Sequence, residues 1–298
     1  MRDDEYTYKK KRRGCFPAFC WIITVALVLF VLGAFLRFTG MLPEKIFSAE
    51  SSSAEKTASF DTFDGDSASE DTIQALETMA QQHPEVEQVL QNSNQYPSEL
   101  LDSLSHNSEL LTFALDYPEK KGTFSSSINL SDRYHSGEIP LLLQWDENWG
   151  YAPYGDGIIG LDGCGPTCLS MVAVGLTGDT SLNPKAVADF SAKNGYLDES
   201  TNSTLWTLMT EGAEKLGLYS SEIPLSESRM SEELSEGHPL ICCMGPGDFT
   251  TQGHFIVLYD YKNGVFSVND PNSTVRSGET WSYETLEPQI RNIWAFSS

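Results

Sequence analysis

Basic side chains are scarce in this 298-residue chain: 19 lysines and arginines stand against 42 aspartates and glutamates, for a net charge of -23. Phosphate backbones are bound by clustered Lys and Arg, so the shortage excludes a basic nucleic-acid-binding domain. Apolar residues, at 40%, fall below the usual globular share, which leaves part of the chain with little surface to bury. Cysteine is sparse too, six residues in all, and the spacings fit no common zinc framework. Cys164-x3-Cys168 is followed only by adjacent Cys242-Cys243, whose side chains leave a strand on opposite faces. The length corresponds to about two folding units at roughly 150 residues each.

The charge is unevenly placed. Residues 1–40 carry seven basic and three acidic side chains, net +4, and the remainder is net -27. Between Cys15 and Leu36 lie 22 residues without a charge. As a helix they would be about 33 Å long, enough to cross a hydrocarbon core of about 30 Å. A cleaved secretory signal has a shorter apolar core, about 7–15 residues. The block Lys9, Lys10, Lys11, Arg12 and Arg13 precedes the run, which predicts a cytoplasmic N-terminus and an acidic bulk outside. Residues 1–14 are therefore read as a cytoplasmic basic tail, and 15–36 as a single-pass transmembrane helix in the lipid bilayer of the cell membrane. Residues 37–70, Ser-rich and acidic, make a flexible stalk, because such composition buries too little to offset chain entropy.

Apolar spacing changes after the stalk. Ile73, Leu76, Met79 and Ala80 recur at helical intervals, as do Val86, Val89 and Leu90. Pro84 and Pro97 mark new helix starts. Leu100, Leu101, Leu104, Leu110, Leu111, Phe113 and Leu115 form one seam. Residues 71–121 thus read as three or four short helices, a spacer or a lid, and 122–138 as a linker. Residues 139–298 read as an α+β domain: a helix after Gly165 and another over 205–216, then strands at 239–244, 255–261, 265–269 and 293–296. Helices come first and strands later, which favours segregated α+β over alternating βαβ.

The sharpest chemical signal is Gly163-Cys164-Gly165-Pro166-Thr167-Cys168. Pro166 suits a first helical turn. A cysteine at a helix start meets free N–H groups that stabilise its thiolate, the nucleophilic form. A nucleophile needs a base, and His254 opens the apolar strand Phe255-Ile256-Val257-Leu258-Tyr259; His238, in Gly237-His238-Pro239, reads as a turn residue. An orienting acceptor for the imidazole is available in Asp270. A two-residue turn at Asn263-Gly264 would put Asp270 on the face opposite His254. A three-residue loop that adds Lys262 pairs Tyr261 with Val265 and brings Asp270 to the correct face, so the longer loop is predicted. Gln144 supplies a side-chain amide for an oxyanion, an interaction whose loss typically costs about 2.7–4 kcal/mol of barrier. No metal or organic cofactor is required by this chemistry.

Gln144-Trp145-Asp146 with Trp149, Gly163-Cys164-Gly165-Pro166-Thr167, Gly253-His254-Phe255-Ile256-Val257 and Asn269-Asp270-Pro271 together resemble the bacteriocin-processing type of papain-like cysteine peptidase. More narrowly, they resemble its stand-alone secreted or membrane-anchored relatives. The resemblance covers about residues 139–298, with the four motifs in the family's order. It implies a papain-like fold acting on a peptide or protein substrate, with Cys164 as nucleophile, His254 as general base, Asp270 as orienter and Gln144 as oxyanion donor. Cys168 departs from the Ser that relatives often carry there, and reads as a packing residue. The family's double-glycine leader specificity belongs to domains fused to exporters and does not carry over to a domain facing outward. Two other functions share these residues: a papain-fold binding module without catalysis, and a cysteine-dependent cell-wall peptide amidase.

Overall fold

The computed structural model describes residues 68–298. The expected basic tail, the expected membrane span at 15–36 and nearly all of the expected stalk lie outside the described residues. Among the described residues no helix is long and apolar enough to cross a membrane. All of them fall in one unit.

The described residues begin with four short helices, α1 (Glu70–Ala80), α2 (Val86–Gln91), α3 (Ser98–His106) and α4 (Leu111–Lys120). Ser69 caps α1 by accepting from the Thr72 N–H, and Pro97 precedes α3, as the proline spacing predicts. Leu76, Val86, Val89, Leu100, Leu101, Leu104, Leu110 and Phe113 are buried together. Tyr151 and Ile158, from the following part of the chain, complete that cluster. Phe113 stacks on Tyr151 with ring centroids 4.2 Å apart. Leu130, inside the anticipated linker, is fully buried in the main core.

Beyond 138 the order is β1 (Pro153–Tyr154), β2 (Gly157–Ile158), α5 (Ile159–Asp162), α6 (Cys164–Thr177) and α7 (Pro184–Lys193). Then come β3 (Leu197–Asp198), β4 (Ser203–Thr204), α8 (Glu211–Lys215), β5 (Tyr219–Glu222), α9 (Glu227–Ser235) and β6 (Leu240–Met244). The last elements are β7 (His254–Lys262), β8 (Val265–Asn269), α10 (Thr274–Ser277), β9 (Thr280–Ser282), α11 (Tyr283–Leu286) and β10 (Ile290–Ser297). The helix expected over 205–216 is broken: a 3-10 turn at Trp206–Met209 and α8 meet at Thr210, whose backbone (φ -112°, ψ -89°) is not helical.

Six strands form an antiparallel sheet in the order β5-β10-β6-β7-β8-β9. Its two faces bury different partners, as the period of two requires. Ile241, Cys243, Phe255, Val257, Trp294 and Phe296 point to α6 and α7. Leu240, Cys242, Met244, Ile256, Leu258 and Val268 point to α9 and α11. Adjacent Cys242 and Cys243 thus enter opposite cores. The architecture is α+β, with the long helix α6 packed across the sheet.

Candidate active site

Helix α6 is apolar on nearly every side, and all residues from Gly165 to Val174 are buried. A helix of that composition belongs inside a core. Its first residue, Cys164, is half-buried and free, and the buried stretch of the helix follows it directly. Gly165 permits a close crossing: a Cβ there would lie 2.8 Å from Thr204 Cγ2, so a larger residue would push β4 away from the cysteine turn. Cys168, Cys242 and Cys243 are buried free thiols, and burial pushes each of them up, which keeps them neutral.

His254 is the first residue of β7 and is buried. Its position relative to Asp270 is set by the β7–β8 hairpin, and here the structure corrects the expected turn. Asn263 (φ 55°) and Gly264 (φ 82°) are both left-handed, which makes a two-residue turn that pairs Lys262 with Val265. By parity that turn alone would send Asp270 to the wrong face. A register shift between Leu258 and Asp260 leaves Tyr259 as an extra residue on β7, so Val257 faces Asn269. β8 ends at Asn269, and Asp270, the next residue, meets the His254 imidazole through its carboxylate. The residue expected in the turn sits inside the strand instead.

The imidazole Nε2 and Asp270 Oδ1 are 2.7 Å apart, and the Cys164 side chain is close enough to the ring to act on its charge. Burial opposes a charged imidazole, but the Asp270 charge and hydrogen bond, with the contact to Cys164, outweigh it and push His254 up to about 9. Burial likewise opposes the Asp270 carboxylate, and His254 and Arg276 hold it below its ordinary value. Arg276 Nε donates to Asp270 Oδ2 at 2.5 Å, and the Asn272 N–H donates to Oδ1 at 2.8 Å. The sequence reading missed Arg276. Its partner lies six residues back, on the other side of a turn into the four-residue helix α10, too short to announce itself by periodicity.

Gln144 is buried beside these groups, but both hydrogens of its amide are engaged. Nε2 donates to the Gly160 carbonyl at 2.9 Å and the Leu161 carbonyl at 3.1 Å, and Oε1 is buried without a hydrogen-bond partner. Its backbone N–H donates to Pro271 O at 2.7 Å. Gln144 therefore ties the segment entering the cysteine turn to the loop that carries Asp270.

Among the described residues, Glu233, Glu236 and His238 have ligand atoms within 4.8 Å of one another, the spacing a cation would need. The buried Glu233 carboxylate is already occupied by Arg229 and by His238, 2.7 Å away, so the set reads as an ion-pair network.

Residues 137–297, just over half of the chain, match the Peptidase_C39 like family. Among solved structures, the peptidase domain of Streptococcus ComA, a bifunctional ABC transporter involved in a quorum-sensing pathway, is 22% identical with a TM-score of 0.34, over 45% of this chain and 88% of that one. A putative C39-like peptidase from Bacillus anthracis is 14% identical with a TM-score of 0.36, over 54% of this chain and 96% of that one. Both scores are too low for superposition alone to carry an assignment. No curated protein matches.

Proposed function

Since the chain belongs to the Peptidase_C39 like family, we propose that it is a cysteine peptidase with Cys164 as nucleophile, His254 as general base and Asp270 as the orienter of the imidazole. The observation that carries this reading is a buried imidazole hydrogen-bonded to a buried carboxylate, with a free, half-buried thiol beside it that acts on its charge.

Proton transfer from Cys164 to His254 gives a thiolate–imidazolium pair, and a histidine raised to about 9 favours that pair at neutral pH. The sulfur attacks the scissile carbonyl carbon; a C–S bond forms and the carbonyl π electrons move to oxygen. Collapse of this intermediate breaks the C–N bond as His254 gives its proton to the leaving amine. Water then attacks the thioester, His254 takes its proton, and the C–S bond breaks to release the acid. The Cys164 N–H, at the first position of α6, has no acceptor within the helix and faces the developing oxyanion. Gln144 joins it as second donor only by releasing Gly160 or Leu161.

The domain is proposed to work outside the cell on peptide or protein substrates, tethered through residues 15–36. That placement rests on the uncharged run and on the basic block before it. Peptide-library profiling of the full chain beside its Cys164→Ala form tests the activity. Wild-type cleavage should vanish in the variant, and a thiol-directed probe should label Cys164 in the wild type but not in His254→Ala at neutral pH. Unchanged cleavage by Cys164→Ala would overturn the proposal. Cleavage of purified cell-wall peptides without any protein substrate would move it to an amidase.

A further inference from the structure

The loop that carries Asp270 is held from outside the family-matched region. Glu109 lies between α3 and α4, and its carboxylate spans residues 273–275. Oε1 accepts from Ser273 Oγ at 2.5 Å and from the Val275 N–H at 3.4 Å. Oε2 accepts from the Thr274 N–H at 2.8 Å and also from the Thr274 hydroxyl. Two residues earlier, buried Asn107 donates from Nδ2 to Asn272 O at 2.6 Å, while its Oδ1 accepts from the Glu109 N–H at 3.1 Å and so fixes the turn that presents Glu109. The same Ser273 hydroxyl accepts from the Arg276 N–H at 3.1 Å, and Arg276 in turn holds Asp270. Burial opposes the Glu109 charge, yet these donors keep its carboxyl below the ordinary value.

We infer that the α1–α4 segment is a positioning element for the candidate triad, with Glu109 and Asn107 as clamps that hold residues 272–275 and thereby set Arg276 and Asp270 against His254. Glu109 touches neither Cys164 nor His254 and acts through others, so it is a positioning residue. The contacts link positions more than 160 residues apart in sequence and bind a helical segment, which its periodicity alone leaves as a spacer or a lid, to the chemistry. The inference rests on the proposed thiol chemistry for its kinetic readout, but the clamp itself can be read without any peptide being cut.

The test compares the full chain with Glu109→Ala and Glu109→Gln. Carbamidomethylation of Cys164, followed by mass spectrometry from pH 4 to 10, reports the thiolate–imidazolium pair independently of hydrolysis. Losing the Glu109 charge and loosening Asp270 both weaken the imidazolium, so the pH window of the pair should narrow from both sides. Alkylation near pH 6 should slow by about tenfold in Glu109→Ala, the scale of a sub-ångström misplacement. Glu109→Gln keeps the shape and one acceptor, and should fall between the two. Lower thermal stability with an unchanged pH profile in both variants would mean ordinary packing and overturn the inference. A narrowed window in a chain that cuts no peptide would sink the peptidase proposal and leave the clamp standing.

Discussion

Cys164 opens a helix whose next ten residues are buried in an apolar cluster, whereas Asp270 lies in a loop held almost wholly by hydrogen bonds. The first support is local and non-directional: one helix packed on one sheet face. The second is directional and assembled from distant pieces. Gln144 N–H and Trp145 Nε1 reach Pro271 and Asn272, Asn107 and Glu109 reach 272–275, and Ser277 and Arg276 reach back to Asp270 itself. Apolar packing tolerates small displacements with a graded loss. Hydrogen bonds weaken steeply with angle and leave buried groups unsatisfied when broken. The Cys164 side should therefore fail through stability, and the Asp270 side through geometry.

The largest effect should come from Asp270→Asn. An amide keeps the volume but removes the charge that outweighs burial at His254, so the imidazole loses its elevation. The kcat/KM for peptide cleavage should fall by about 10²–10⁴, the usual worth of a positioned acid–base group. The pH dependence of stability should change as well. His254 is raised from 6.5, so its contribution is complete below that value and is lost as pH rises through about 9. Asp270 is lowered from 3.8, so its contribution is complete above that value and is lost as pH falls through the folded-state pKa. Thermal melts of the wild type from pH 3 to 10 should decline at both ends, and Asp270→Asn should flatten both declines. A wild-type curve that rises through pH 9 would contradict the charged pair.

Next in size is Met171→Ala. Met171 is fully buried in α6, two turns from Cys164. Truncation should cost about 2–5 kcal/mol of stability. Denaturant titration measures that loss, while kcat/KM per folded molecule should stay within about twofold, since apolar repacking leaves the helix start in place. A large kcat/KM loss without destabilisation would show that the two supports are not separate.

How much of this was open to sequence reasoning follows the same division. The apolar run after Gly165 and the strand after His254 announce themselves by periodicity, because local packing writes itself into neighbouring residues. The face of Asp270 relative to His254 was also legible by parity, although the extra residue was expected in the turn and lies at Tyr259. Asn263-Gly264 does mark a two-residue turn; a bulge inside a β-branched and aromatic strand carries no comparable mark. Helix α7 was missed although Asn183, which caps it through the Ala186 N–H, and Pro184 at its start are ordinary signals. Arg276 and Glu109 were not read at all, and the carbonyl partners of the Gln144 amide were not foreseen, since such partners are fixed by the tertiary fold and not by spacing. A glutamate in a highly acidic chain looks like a solvated charge until the loop it clamps is brought to it.

The smallest change offers the sharpest separation of the two supports. Ser277 accepts from the Asp270 N–H at 2.9 Å and donates to the Ser273 carbonyl at 2.6 Å, so one hydroxyl closes the loop on itself. Ser277→Ala removes only an oxygen and leaves the Asp270 N–H, in a fully buried residue, without its acceptor. The stability cost should be about 1–3 kcal/mol, below that of Met171→Ala. The kcat/KM should nevertheless fall by about tenfold or more, because Asp270 shifts against the imidazole by fractions of an ångström. A smaller stability loss with a larger activity loss than Met171→Ala is the crossing that the two kinds of support require. If both variants lose activity in proportion to stability, the site is held as one body, and the distinction between packed thiol and tethered carboxylate falls.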